Sequence, residues 1–331
     1  MSMQAEVQNV RHQLGVSLIE LMIALVVGLL LLGGLIQVYL SSKQSYNAQE
    51  QLARMQEGGR FAMDLVTRDL RRSGFWGGNV DLFTIAGDPG PEPPSHNCNS
   101  AAWGRMINWR VSGVNRTAAP GGYTCATNHV ANSDILTVRY ADANTLDPTD
   151  PIPANNALFV RSTMFASRVT TGALAGEDDN RIFPDDPLIT PAHLLPEVRR
   201  LVSHAYYIGD SGQLCPGGQA IPALRRVALN PTTGAPESEL IALGVEQLQV
   251  RYLLNDVYVD AQNVPNDQWP NVRAVRVWLL MRGECPEFGL VNNTTYTMGD
   301  LVFTPTANTV EENYRRQLYV STVMLRNIAV R

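Results

Sequence analysis

Lysine is almost missing from this chain. Of its 26 basic residues only Lys43 is a lysine, and the net charge is −5. Such mild acidity offers no electrostatic footprint for non-specific nucleic-acid binding, which needs a basic face. Cysteine is sparse too: Cys98, Cys125, Cys215 and Cys285 form no C-x-x-C pair, so the usual zinc and dithiol redox patterns are excluded. The H-E-x-x-H, Walker A and G-x-G-x-x-G patterns are absent, which removes the motif-bearing zinc proteases, P-loop nucleotidases and dinucleotide binders. Proline, present 20 times in the chain, is missing from Val16 to Arg72. Nothing in that stretch forces a helix to stop.

What the stretch does contain is a long apolar run. Gly15-Val16-Ser17-Leu18-Ile19-Glu20 leads into Leu21 to Val38, where Gln37 is the one clearly polar side chain. At about 1.5 Å per residue, Val16 to Leu40 can cross a hydrocarbon core of roughly 30 Å. The 45% hydrophobic composition suits a globular chain with one membrane segment. Glu20 is the anomaly, because a carboxylate in such a segment costs about 2.5 to 3.5 kcal/mol at the bilayer centre and needs a partner or a function. An ordinary signal anchor with Arg11 in its leader would let Glu20 snorkel to the interface. A secretory signal fits worse, since its small-residue cleavage site should follow the apolar run, and Leu40-Ser41-Ser42-Lys43 has none.

A short polar leader ending in Gly15, followed by Val16-Ser17-Leu18-Ile19-Glu20-Leu21-Met22 and an apolar helix, resembles the prepilin signal of type IV pilins and type II secretion pseudopilins. The resemblance implies that a membrane-embedded prepilin peptidase cuts after Gly15 and methylates the new N-terminus at Val16. Glu20 then stands at the mature fifth position, where the family's glutamate is thought to neutralise the N-terminal amine of a neighbouring subunit. Val16 departs from the family's usual phenylalanine.

Beyond the membrane run the sequence predicts an unbroken helix to about Arg72, some 85 Å long. Leu52, Met55, Gly59, Ala62 and Val66 recur at spacings of three and four, with Arg54, Glu57, Arg60, Asp64 and Arg68 largely off that stripe. This half should pack on the domain that follows. Arg60 with Asp64 and Asp64 with Arg68 are candidate i,i+4 pairs, and Ser73-Gly74 is the expected stop. Gly28, Gly33, Gly34, Gly58 and Gly59 mark places where the helix bends, or packs closely on neighbours.

From Phe75 to Asn132 the chain is rich in Gly, Pro, Asn and Ser and reads as long loops with short strands. Strand signals follow at Asp134–Tyr140, Val202–Ile208, Leu224–Leu229, Val245–Leu254, Val272–Met281 and Leu318–Leu325. In Val245–Leu254, Leu248, Val250, Tyr252 and Leu254 alternate with Gln247, Gln249 and Arg251. Strands separated by turns imply an antiparallel sheet carrying the amphipathic half of the helix. The fold class expected is therefore α+β, divided as 1–15 leader, 16–40 transmembrane helix, 41–73 amphipathic continuation and 74–331 β-rich globular domain. All four cysteines lie beyond the membrane run, which implies an oxidising compartment. Three connectivities exist. The sequential pairs Cys98–Cys125 and Cys215–Cys285 are favoured because the first two bracket one irregular stretch, and four buried thiols are the alternative.

Candidate chemistry is thin. Gly209-Asp210-Ser211-Gly212 copies the surroundings of a chymotrypsin-type nucleophile, but His96, His129, His193 and His204 lack the context a base would need, and Tyr206-Tyr207-Ile208 before it reads as a strand entering a tight turn. No enzyme is expected, and no cofactor. Glu177, Asp178, Asp179, Asp185 and Asp186 form an acidic loop without the spacing of a calcium site.

The segments Ser133–Tyr140, Tyr206–Gly209, Gly244–Tyr252, Val275–Leu280 and Ser321–Asn327 are similar, in order, to the PilW family of minor pilins. That resemblance implies a minor pilin held in the inner membrane by one span, its C-terminal domain periplasmic, and later part of the pilus at the cell surface, in the setting of adhesion and twitching motility. It implies priming of pilus assembly at or near the tip, with other minor pilins, the major pilin and a tip adhesin as partners. The J-type pseudopilin of type II secretion shares the plan but is usually much shorter, and is the alternative.

Overall fold

The computed structural model describes residues 17–78, 85–86, 101–115, 125–126, 128–146, 156–162, 167–171 and 197–327. The chain divides into two compact units, 1–50 and 51–331. In the first, the described residues form a helical rod; in the second, the rest of the same helix packs on two sheets. The helix, α1 (Leu18–Arg72), is unbroken over 55 residues, as the missing prolines lead one to expect. It stops where Ser73 N–H still bonds Asp69 O at 3.0 Å but Gly74 turns to φ +75° and gives its N–H to Arg139 O. A side chain could not be placed there: a Cβ on Gly74 would lie 2.7 Å from Arg110 Cδ and 2.9 Å from Asn327 O.

Among the described residues the first sheet has eight strands. They are β1 (Ile85–Ala86), β2 (Val111–Val114), β3 (Ile135–Thr145), β4 (Leu158–Ser162), β5 (Ser167–Thr171), β6 (Glu197–Leu214), β7 (Ala220–Leu229) and β8 (Pro236–Leu243). Its path is β1-β5-β4-β6-β3-β2, with β7 and β8 added beside β6. The second sheet runs β10-β9-β11-β14, with β9 (Val245–Leu254), β10 (Val257–Val259), β11 (Ala274–Arg282) and β14 (Arg316–Met324). A separate hairpin joins β12 (Tyr296–Met298) to β13 (Leu301–Phe303). Pairing is antiparallel throughout these sheets except between β1 and β5. A four-residue helix, α2 (Ala101–Gly104), precedes β2.

The apolar stripe of α1 does what its period implies. Met55, Gly59, Ala62, Val66 and Leu70 are buried, and the core they enter draws Val138, Tyr206 and Ile208 from the first sheet and Leu248, Val277, Leu279 and Val323 from the second. Leu52, expected on the stripe, stays 36% exposed. Asp64 pairs with Arg68 rather than Arg60. Gly59 marks a close approach rather than a bend: a Cβ there would sit 2.6 Å from Cζ of Tyr319 on β14, whose hydroxyl lies 3.5 Å from the Met55 and Gln56 carbonyls. Gly28, Gly33 and Gly34 have no such neighbour.

The polar side chains that alternate along β9 do not all reach solvent. Gln247 and Gln249 are buried, because the loop before β3 seals that edge. Leu248 N–H donates to Ser133 Oγ at 3.1 Å, Val250 N–H to Asp134 Oδ2 at 2.8 Å, and Gln249 Nε2 to Asn132 O at 2.6 Å. The expected tight turn at Gly209-Asp210-Ser211-Gly212 is likewise a bulge inside β6. The register against β7 jumps between Asp210 and Leu214, and Gly212, at φ +79°, gives its N–H to Asp210 Oδ1.

Candidate functional site

The first candidate is the apolar rod itself. Every large apolar side chain from Leu18 to Leu40 is at least 49% exposed, on all sides of the helix. A contiguous surface of that kind far exceeds what a soluble monomer leaves in water, so it must meet lipid or other apolar helices. Glu20 is the one charged residue between Leu18 and Leu40, and it lies in the first turn of α1, where the helix dipole favours a negative charge. Its side chain is exposed. Gly15 and Val16, the expected cleavage and methylation positions, lie outside the described residues, as do Cys98 and the acidic loop from Glu177 to Asp186.

The second candidate is where α1 is fastened to the sheets. Asp69 sits on the buried face of the last turns of α1 and accepts three hydrogen bonds. Tyr140 Oη of β3 donates to Oδ1 at 2.8 Å, while Tyr206 Oη and His204 Nδ1, both on β6, lie 2.5 Å from Oδ2. The adjoining rings of His204 and the two tyrosines meet edge-on. Burial pushes the Asp69 carboxyl up, but the bond and charge of His204 and the bonds of Tyr206 and Tyr140 outweigh it, and the net direction is down. Burial first, then the charge of Asp69, raises the Tyr140 and Tyr206 hydroxyls. The three bonds fasten the end of α1 to β3 and β6 as a polar clamp. Ser211 is elsewhere, its Oγ accepting from Gln213 N–H.

Two arginines are further fasteners within the domain. Arg110, wholly buried, donates from Nη2 to Pro270 O at 2.7 Å and Val272 O at 3.0 Å and from Nη1 to Asn327 O at 3.1 Å, and burial lowers its pKa to about 10. Arg316 grips Glu246 with two bonds of 2.6 and 3.0 Å, and Arg282 reaches the same carboxylate at 3.4 Å. Cys215, after β6, is joined to Cys285, after β11, with a Cα separation of 5.6 Å, so the bridge links the two sheets. Cys125 is also disulfide-bonded.

The clamp went unread in the sequence, yet Asp69 lies three residues beyond Val66 on the stripe. An acid on a buried stripe is the signal that could have found it.

Two stretches of this chain, one across the apolar rod and one in the sheet domain, match known families. Residues 10–36 match the prokaryotic N-terminal methylation motif, and residues 205–327 match the type IV pilus-assembly protein W (PilW) domain, so the chain carries both. Among solved structures it is similar to a type IV-like pilin from Thermus thermophilus, at 14% identity over 60% of this chain and 80% of that one, with a TM-score of 0.28. No curated protein matches it.

Proposed function

We propose that this chain is a minor pilin of a type IV pilus. It enters the inner membrane as a prepilin, its C-terminal domain in the periplasm; prepilin peptidase cleaves between Gly15 and Val16 and methylates Val16. It then helps to prime assembly at or near the tip, with other minor pilins, the major pilin and a tip adhesin as partners. The observation that carries this reading is the PilW domain on the same chain as the methylation motif and an apolar helix with one acid. In the filament the rod exchanges lipid for neighbouring apolar helices, and Glu20 exchanges the membrane interface for a partner's N-terminal amine. Oxidation in the periplasm pairs Cys98 with Cys125, as the bonded state of Cys125 supports. The J-type pseudopilin reading shares the motif and the rod.

Deletion and complementation in the native cell separate the two. A minor pilin's loss removes surface pili and twitching and leaves type II secretion intact; loss of secretion with normal piliation would overturn the proposal in favour of the pseudopilin.

A further inference from the structure

The single lysine of this chain stands where the apolar run of α1 ends. Lys43 lies just past Leu40, and no charged residue occurs from Leu21 to Ser42. At about 1.5 Å of rise per residue, Glu20 and Lys43 lie roughly 34 Å apart along the axis, against a hydrocarbon core of about 30 Å. A bilayer crossed by this helix therefore meets one charge at each of its faces, Glu20 at one and Lys43 at the other.

Lys43 does not stand alone there. Tyr39, Lys43 and Tyr46 follow at spacings of four and three, so they share one face of α1 within an arc of about 60°. All three are exposed, the tyrosines by 66% and 67%. Each tyrosine joins an apolar ring to a polar tip, the form that settles at the boundary between hydrocarbon and headgroups. Lys43 between them has no acid within reach on its own helix. Its neighbours three and four residues away are Tyr39, Leu40, Tyr46 and Asn47, whereas Arg54, Arg60 and Arg68 farther along each have a Glu or Asp at such a spacing. We infer that Tyr39, Lys43 and Tyr46 form a phospholipid headgroup site, the ammonium of Lys43 donating to the lipid phosphate and the two rings holding the glycerol region on either side.

The occupant follows from what surrounds the site. It is continuous with the exposed apolar side chains that run from Leu18 to Leu40, so the same lipid that covers those side chains ends here in its headgroups. A second copy lying alongside at the same depth offers no counter-ion, because no acid stands from Leu21 to Gln49. The inference rests on the proposed function in one respect, that the rod lies in a membrane before assembly. To that reading it adds what sets the depth of the span: Glu20 marks one face, headgroup contact at Lys43 holds the other, and that contact is released when the rod leaves for the filament.

Because Lys43 is the only lysine, feeding lysine with an NMR-active isotope at its side-chain nitrogen labels this one atom of the full-length chain. The test reconstitutes the labelled chain in vesicles of phosphatidylethanolamine with phosphatidylglycerol and measures, by solid-state NMR, how far lipid phosphorus dephases the Lys43 nitrogen signal. A direct ammonium–phosphate contact sets nitrogen and phosphorus roughly 4 Å apart, and the dephasing should report that separation. Replacing both tyrosines, Tyr39→Ala with Tyr46→Ala, should lower the dephased fraction at least about twofold. Flotation of the chain with the vesicles after an alkaline wash reports the membrane span separately, for wild type and variant alike. A floated chain whose Lys43 nitrogen is not dephased, or is dephased equally with and without the tyrosines, would overturn the headgroup site and leave the span standing. A chain that does not float would overturn both.

Discussion

Replacing Asp69 by alanine probes the clamp between α1 and the first sheet. The substitution leaves Tyr140 Oη, Tyr206 Oη and His204 Nδ1 without their acceptor in a site where Asp69 is only 3% exposed. Each orphaned buried group costs about 1 to 3 kcal/mol, and breaking a buried charged partnership costs about 3 to 5 kcal/mol in total once the site relaxes. Asp69→Ala should therefore lose about 3 to 5 kcal/mol, a large share of an ordinary domain's stability. Asp69→Asn keeps the shape and one acceptor oxygen, so it should lose about half as much. The assay is urea unfolding of the full chain in detergent, followed by the fluorescence of Trp76, Trp103, Trp109 and Trp269, all buried. Because the folded carboxyl is held below its ordinary 3.8, its contribution is complete above that pH and is lost as pH falls through the lower folded value. The gap between wild type and Asp69→Asn should thus narrow only below about pH 4. A loss under about 1 kcal/mol for Asp69→Ala, or a gap that does not narrow in acid, would refute the clamp.

Removing the inter-sheet bridge with Cys215→Ser and Cys285→Ser together should cost about 2 to 4 kcal/mol in the same assay, and an unchanged urea midpoint would count against a constraining role. Gly59→Leu should cost about 1 to 3 kcal/mol by driving the Tyr319 ring off the helix, whereas Gly58→Ala, whose Cβ would lie 3.4 Å from Met281 Cε, should be neutral or gain up to about 1 kcal/mol of helix propensity. Equal effects at the two glycines would show that helix propensity alone governs this turn.

Local patterns were legible because local physics set them. Without proline the helix had no reason to stop before Gly74, and the three-four spacing of Met55, Gly59, Ala62 and Val66 named its buried face. The strand Val245–Leu254 was bounded correctly, and its neighbours were found with frayed ends. β8 escaped notice because Pro236, Glu237 and Glu239 are the features that keep an edge strand from looking like one. The bulge in β6 looked like a turn because Gly209-Asp210-Ser211-Gly212 has turn chemistry, and only pairing with β7 keeps it in the sheet. The Asp69 clamp was illegible for a different reason: Tyr140, His204 and Tyr206 lie 71 to 137 residues away, and no local window contains the pair of strands that brings them together. For the rod, Glu20 stood out in sequence as it does in structure, an isolated acid among exposed apolar side chains.

Under the proposed function the rod enters a filament and Glu20 docks it. A buried carboxylate is tolerable only when paired, and a mature N-terminus at Val16 would supply a cation, within the chain or on a neighbour. The apolar surroundings of a filament strengthen that attraction, so losing the acid should weaken docking rather than folding. The measurement is the ratio of this chain in sheared pili to its membrane pool, for wild type, Glu20→Ala and Glu20→Gln in one strain, with leader cleavage followed by intact mass. The expected result is normal cleavage, a normal membrane pool and a pilus fraction lowered alike in both mutants. Normal incorporation of both would contradict it and leave Glu20 a tolerated interfacial acid.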